Sequence, residues 1–364
     1  MGDSYAPSLP VRLPGLNGIR FYAAISVLVG HVSNNFGEMR TQASSFPLLN
    51  IFLLDPQSGV NLFFVLSGFL ITCLLLREKS QAGEISIRKF YARRILRIWP
   101  LYYGTLLAGT VILPLLVGPS YPLYAIPWSK SVLLLLFLPN FLSALGPLSH
   151  LWSIGLEEQF YLTWPWIVNH KTAFLKFTLG VLFVKIILTP VIQIIGNQGM
   201  ANLFLTLRFE CMAVGALGAY LFFNRHQALA LLHSVYLKLV VFAGFALLAI
   251  VDVPLSEPMI LASSLIFLLA ILYVVSVPKL GAFLDLPLLD QLGKVSYGIY
   301  MIHYPATYLV VYTLYRAGFA EGPLYDWVIY TAVTAITLAS SFASYYGFER
   351  PFLKIKDRFA VIPT

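Results

Sequence analysis

The chain has 364 residues, 59% of them hydrophobic and only 11% charged, with a mean hydropathy of +0.79. Water-soluble domains are about one-quarter charged, so this composition reads as a polytopic membrane protein with little room for a separate soluble domain. The net charge of +8 does not point to nucleic acid, because the basic residues crowd into short loops between apolar spans, where they act as orientation signals.

Residues 1–15 carry Arg12 but no cleavage pattern, and the first span contains Arg20 and His31. It therefore reads as a retained helix rather than a signal peptide. The spans predicted in order are 16–36, 59–76, 99–117, 151–168, 172–195, 204–223, 235–251, 259–277, 295–314 and 327–348. Segment 133–145 is apolar but short, broken by Pro139-Asn140 and followed by Gly146-Pro147, so it is expected to be re-entrant or interfacial. Trp99, Trp128, Trp164 and Trp327, at span ends, are expected to anchor at the membrane interfaces.

Charge supports ten crossings with both termini cytoplasmic. Seven basic residues between positions 77 and 97 then lie inside, with Lys171, Arg225, Lys279, Lys294 and the tail residues Arg350, Lys354, Lys356 and Arg358. Arg40, Lys130 and Arg316 remain outside. A crossing at 133–145 would turn the basic tail outward, against the positive-inside rule. The expected fold class is thus an all-α integral membrane protein, a single domain over 1–364, with no repeat or interdomain linker.

Arg20 and His31 are eleven residues apart on the first span. At about 100° per residue, that is three turns plus about 20°, so both project from one face, about 16 Å apart along the axis. Ionisable groups inside a membrane are costly unless they face a wet or paired interior, which marks them as candidate functional residues. The competing readings are snorkelling of Arg20 to headgroups and a hydrogen bond from His31 to a carbonyl.

In Tyr91-Ala-Arg-Arg-Ile-Leu-Arg-Ile-Trp-Pro100, Arg94 and Arg97 are neighbours on one helical face. Paired guanidiniums suit a phosphate-rich ligand, although anionic-lipid anchoring uses similar runs. In the fourth span His150, Ser153, Glu157 and Tyr161 form one polar stripe, with Glu158 about 100° round the axis. A carboxylate there is placed to orient His31 or activate a hydroxyl. Lys185, Arg208 and Glu210 read as structurally paired, as does His303, whose expected partner is a carbonyl freed by Pro305. Cys73 and Cys211 lie in apolar segments with no metal-ligand spacing around them, so neither a disulfide nor a metal site is expected.

Six motifs in register resemble the membrane-bound acyltransferase-3 family, the bacterial O-antigen, exopolysaccharide and peptidoglycan O-acetylases. They are Leu16-Asn-Gly-Ile-Arg20 with His31, Gly59-Val-Asn-Leu-Phe-Phe-Val-Leu-Ser-Gly-Phe-Leu-Ile71, Arg93-Arg-Ile-Leu-Arg-Ile-Trp-Pro100, Leu151-Trp-Ser-Ile-Gly-Leu-Glu-Glu-Gln-Phe-Tyr161, Val295-Ser-Tyr-Gly-Ile-Tyr300 and Phe348-Glu-Arg-Pro-Phe352. The resemblance implies a ten-helix enzyme of the bacterial cytoplasmic (inner) membrane. Such an enzyme takes an acyl group, acetyl in the first instance, from cytoplasmic acyl-CoA to a hydroxyl of a carbohydrate, glycolipid or small molecule. Acyl-CoA is then a donor substrate, with no permanently bound cofactor and no metal.

Carried over by position, Arg20, His31 and Glu157 are the expected catalytic residues, while Arg94, Arg97 and Glu349 are expected at the donor side. Asn61 departs from the family pattern, which has Asp there in many members, and no soluble domain is expected after the helices. The rival reading is a secondary transporter or exporter of a polar small molecule, since buried His, Arg and Glu also build proton-coupled pathways. Against it stands the lack of a repeat and of paired broken spans.

Overall fold

A computed structural model describes residues 13–33, 53–118, 127–142, 145–250 and 256–361, and all of its regular structure is helical. Helix α1 spans Leu16–Val32, α2 Pro56–Ala82 and α3 Ile87–Leu107, the last continuing through a π-type turn at Ala108–Ile112 and a final turn at Leu113–Val117. Then come α4 (Trp128–Leu135), α5 (Leu151–Asn169), α6 (Lys171–Ile194), α7 (Gln198–Thr206) and α8 (Phe209–Phe223). The chain ends with α9 (Val235–Ile250), α10 (Glu257–Ser276), α11 (Pro278–Leu284), α12 (Pro287–Lys294), α13 (Ser296–Arg316), α14 (Pro323–Ala343) and α15 (Arg350–Asp357).

Six helical stretches are long and apolar enough to cross a membrane: Pro56–Ala82, Ile87–Val117, Phe174–Ile194, Gln198–Phe223, Glu257–Ser276 and Leu324–Asp357. Helices α1 and α9 are apolar but shorter. The exposed sides of α6 and α9 carry Phe183, Val184 and Ile187, and Leu239, Val240 and Phe242, the surface expected of helices that face lipid.

The expected sixth span is two helices, because the chain breaks at Leu207–Arg208 before α8 begins. Segment 133–145 contains only the end of eight-residue α4 and a single 3-10 turn at Pro139–Phe141, and residues 143–144 lie outside the described residues. An eight-residue helix is about 12 Å long, well short of a bilayer core. The break is stitched to its neighbours by Tyr102 and Tyr103, whose hydroxyls donate to the Leu134 and Leu135 carbonyls at 2.7 and 3.0 Å.

Helix α2 forms the centre of the bundle and begins with a well-made cap. Asp55 accepts from the Gln57 and Ser58 amides, with Pro56 in the first turn where its missing N–H costs nothing. Against it lies α8 at backbone contact. A Cβ on Gly68 would fall 2.0 Å from the Met212 carbonyl oxygen, and one on Gly215 2.0 Å from that of Val65. Lipid tails are as apolar as leucine, so close packing of small residues rather than hydrophobicity drives this pairing.

Chain direction sets up two polar ends. Pro56 abuts Gly30, so α2 starts beside His31 and runs back to Glu78, which pairs with Arg93 of α3. Helix α5 begins at the His31 end with His150 and finishes where Lys79 donates to the Asn169 carbonyl at 2.6 Å. Trp164, expected at an interface, is instead 1% exposed, stacked on Phe160 and donating to Thr72 at 2.9 Å. An indole N–H needs a partner when buried, and a hydroxyl on the facing helix provides it.

Candidate active site

At one end of the bundle, little more than one turn of α3 presents three arginines with different fates. Arg93 is buried and committed: it pairs with Glu78 at 2.7 Å and donates to the Phe359 carbonyl at 2.8 Å. Arg94 lies one residue, about 100°, further round the helix. Its guanidinium carbon sits 5.1 Å over the Tyr161 ring and 5.8 Å over that of Phe90. Arg94, Arg97 and Arg20 line a common cavity with Ser67 and Tyr161.

Among the described residues neither Arg94 nor Arg97 has a carboxylate within ion-pair distance, and the Arg20 side chain donates only to Asn17, at 3.3 Å. Three guanidiniums therefore face one space with most of their donors open, which is the arrangement that binds a polyanion. Lys356, from α15, lines the same cavity. It arrives there because α14 continues through a π-type turn at Ser344–Glu349 that lays α15 against α3.

The carboxylate of Glu157 accepts from the Ser67 hydroxyl at 2.6 Å and the Tyr161 hydroxyl at 3.4 Å, and it lines the arginine cavity. Glu158, round the helix as the spacing requires, accepts from the Trp99 indole at 2.9 Å. Tyr297, Tyr300 and Ser153 continue the cavity lined by Arg20 and Glu157 toward the opposite end.

There three histidines gather from three helices. His31 Nδ1 lies 2.9 Å from His303 Nε2, with the two rings nearly parallel at 9° and their centroids 5.1 Å apart. His303 Nδ1 is 2.6 Å from the Tyr300 carbonyl oxygen. His150 stands 5.3 Å from His303 by ring centroids, its Nε2 3.1 Å from the Met301 carbonyl. Pro305 lacks the N–H that would bond Met301 in a regular helix, so His150 fills that vacancy from a different helix. Tyr300 ties the group together, its hydroxyl 2.5 Å from Ser153 Oγ and donating to the His150 carbonyl at 3.1 Å.

These contacts define the protons on the rings when they are neutral. A carbonyl oxygen only accepts, so His303 Nδ1 carries its hydrogen and His303 Nε2 holds a lone pair. His31 Nδ1 must then donate to it, and His31 Nε2 is left with the free lone pair. The chain of tautomers starts from a backbone carbonyl, which cannot change its role.

Two residues have contacts that the sequence did not predict. Glu157 makes no hydrogen bond to His31; its partners are Ser67 and Tyr161, because it lies seven residues, about 10 Å, along α5 from His150. His303, read as structural, is the residue that holds His31. Glu349, expected at the donor side, accepts from Ser344 at 2.9 Å within the π-type turn and lies close enough to Arg97 of the cavity for their charges to interact. The other buried charges do pair: Lys185 lies 3.3 Å from both Glu210 and Glu257 and donates to the Phe204 carbonyl, while Arg208 donates to Asn61 and Gln57.

Sequence reasoning missed Lys356 and Ser67 as cavity residues and His303 as the partner of His31. The tail cation had a signal in its helical neighbourhood of basic residues. Ser67 had its place in the Gly59–Ile71 motif, with nothing to single it out there.

A fold of apolar helices enclosing a cationic cavity at one end and a histidine cluster at the other defines a membrane protein with an enzyme-like interior. The family model described as an acyltransferase domain, acyltransferase 3, matches residues 13–346, and the chain belongs to that family. It is 25% identical over 375 residues to O-acetyltransferase OatA of Staphylococcus aureus strain NCTC 8325, covering 95% of this chain and 58% of the relative. The putative O-acetyltransferase SACOL0978 of S. aureus strain COL is 24% identical over 371 residues, covering 94% of this chain and 57% of that relative. The chain thus spans somewhat over half the length of these curated relatives. No solved structure matches it.

Proposed function

We propose that this chain is a multi-pass O-acyltransferase of the bacterial inner membrane that moves an acetyl group from acetyl-CoA to a hydroxyl of a carbohydrate or similar acceptor. The observation that carries the reading is the polar cavity joining Arg20, Arg94 and Arg97 to Ser153 and Tyr300, and through Tyr300 to His303 and His31. The arginines and Lys356 grip the phosphates of the donor, and the thioester extends along the cavity toward His31. The arginine end faces the cytoplasm, where CoA resides, and the histidine end faces outward.

In the transfer step the acceptor hydroxyl oxygen forms a bond to the thioester carbonyl carbon while His31 Nε2 takes the hydroxyl proton. The C–S bond then breaks, the acetyl ester remains on the acceptor, and the CoA sulfur leaves with the proton returned from His31. Arg20, about 16 Å from His31 along α1, helps hold the donor at the arginine end rather than the reacting carbonyl. His303 keeps the His31 lone pair on Nε2 throughout.

The test is release of CoA thiol from acetyl-CoA by protein reconstituted in lipid nanodiscs, followed by base-labile acetate on the carbohydrate of expressing cells. A transporter releases no thiol, and that result overturns the reading. Orientation is read separately in a background lacking Cys73 and Cys211: an impermeant thiol reagent applied to intact cells labels Gln198→Cys but not Ser80→Cys. The opposite pattern would place the arginines outside.

A further inference from the structure

Arg93 takes no part in gripping the donor, yet its guanidinium joins two distant parts of the chain. It pairs with the Glu78 carboxylate, 0% exposed, at 2.7 Å and donates to the Phe359 carbonyl at 2.8 Å. Glu78 is itself fixed, accepting from the Ser86 amide at 2.8 Å. A guanidinium makes both bonds from one rigid plane, which an ammonium cannot do. Among the described residues, the bond from Arg93 is the only hydrogen bond that ties residues 356–361 to another helix. The others, from the amides of Arg358, Phe359 and Ala360 to the carbonyls of Ile355, Lys356 and Asp357, are local and move with the segment.

That segment is a wall of the arginine cavity, which Lys356, Asp357, Ala360 and Val361 line together with Arg20, Arg94 and Arg97. The cavity has a volume of about 150 Å³ and its continuation toward Tyr300 about 100 Å³, whereas sites that enclose a drug-sized ligand run to ~300–1,000 Å³. A CoA donor is larger than such a ligand, so a wall has to give way. Helices α1, α2, α3 and α5, which supply the other walls, all bury side chains in the bundle, while α15 buries none. Helix α15 also leaves α14 through the π-type turn, where the register of helical hydrogen bonds shifts. Charge gives the movement a direction. Lys356 shares the cavity with three guanidiniums, a repulsion eased by its pair with Asp357 at 3.3 Å, so like charges push the segment outward and a bound polyphosphate draws it back.

We propose that Arg93 is a positioning residue that latches residues 356–361 as a strap over the arginine cavity: the strap lifts to admit a CoA-type donor and closes on its phosphates. The inference rests on the transferase reading above. The full chain in lipid nanodiscs is mixed by stopped flow with a CoA analogue carrying a fluorophore on the adenine. Arg93→Lys keeps a charge beside Glu78 but lacks the fork, so association and dissociation should both accelerate, by about fivefold or more. Faster dissociation with association unchanged makes the segment a fixed wall and overturns the strap, as do two unchanged rates. The second arm leaves Arg93 in place. In a background lacking Cys73 and Cys211, Lys89→Cys, one turn before Arg93 on α3, and Phe359→Cys are bridged by a short bis-methanethiosulfonate; neither residue lines the cavity. Bridging should slow association by about tenfold or more, and reductant should restore it. Unchanged association, or failure of the bridge to form, overturns the strap. Wild-type protein that binds no analogue overturns the transferase reading together with this one, whereas wild-type binding with both arms unmoved overturns the strap alone.

Discussion

The two ends of this bundle handle buried polar groups in opposite ways. At the arginine end, Arg20, Arg94 and Arg97 surround a cavity with few protein partners, while Arg93 pairs with Glu78 and Lys356 with Asp357. At the histidine end, the rings are tied to one another and to the backbone carbonyls of Tyr300 and Met301. Open cations attract a multiply charged ligand whose phosphates supply the missing hydrogen bonds. Rings whose neutral tautomers are set by backbone carbonyls orient one lone pair, which is what proton transfer requires. On the proposed reading the chain binds its donor at one end and does its chemistry at the other, so substitutions at the two ends should fail differently.

The largest effect is expected from His31→Ala, which should lower acetyl transfer by ~10²-fold or more while the protein remains inserted and monodisperse. Retention of a tenth of wild-type turnover would mean that the histidine end is not the reacting centre. His303→Ala should lower kcat ~10–100-fold with the KM for acetyl-CoA unchanged, since partners that orient a functional histidine typically contribute that much. His303→Gln, whose amide can still accept from His31 Nδ1, should recover part of the loss; equal defects in both variants would assign His303 to packing.

At the other end Arg94→Ala or Arg97→Ala should raise the KM for acetyl-CoA ~10-fold, consistent with ~1.5–3 kcal/mol for a hydrogen bond to a charged group. Lysine should be an incomplete substitute because it lacks the planar fork. A defect confined to kcat would erase the distinction between binding and chemistry. The smallest contrast separates neighbouring carboxylates: Glu157→Gln, inside the cavity, should reduce activity several-fold more than Glu158→Gln, whose hydrogen bond is to Trp99 outside it. The reverse order would place the functional face of α5 toward α3.

How much of this was legible beforehand differs residue by residue. The eleven-residue spacing of Arg20 and His31 and the three-residue spacing of Arg94 and Arg97 identify shared helical faces without any structure, because helical periodicity is local. The phase difference between Glu157 and Glu158 is of the same kind, and the two residues meet different helices. Trp164 was misplaced because an indole in an apolar sequence looks alike at an interface and in a core. Its hydroxyl partner, Thr72, is 92 residues away.

By itself, then, the sequence determined that the chain is helical and membrane-embedded, which faces carry charge, and, through its motifs, which family it belongs to. Which faces meet was decided only in three dimensions: His31 finds His303 across 272 residues, Arg208 finds Asn61 across 147, and Lys356 returns from the last helix to line the arginine cavity. The physical reason is that apolar surface does not choose its partner in a membrane, where lipid is as good a neighbour as another helix. Selection falls to close backbone contacts such as Gly68 on Met212 and to buried polar groups that need one particular counterpart, and a linear pattern shows the need but not the counterpart.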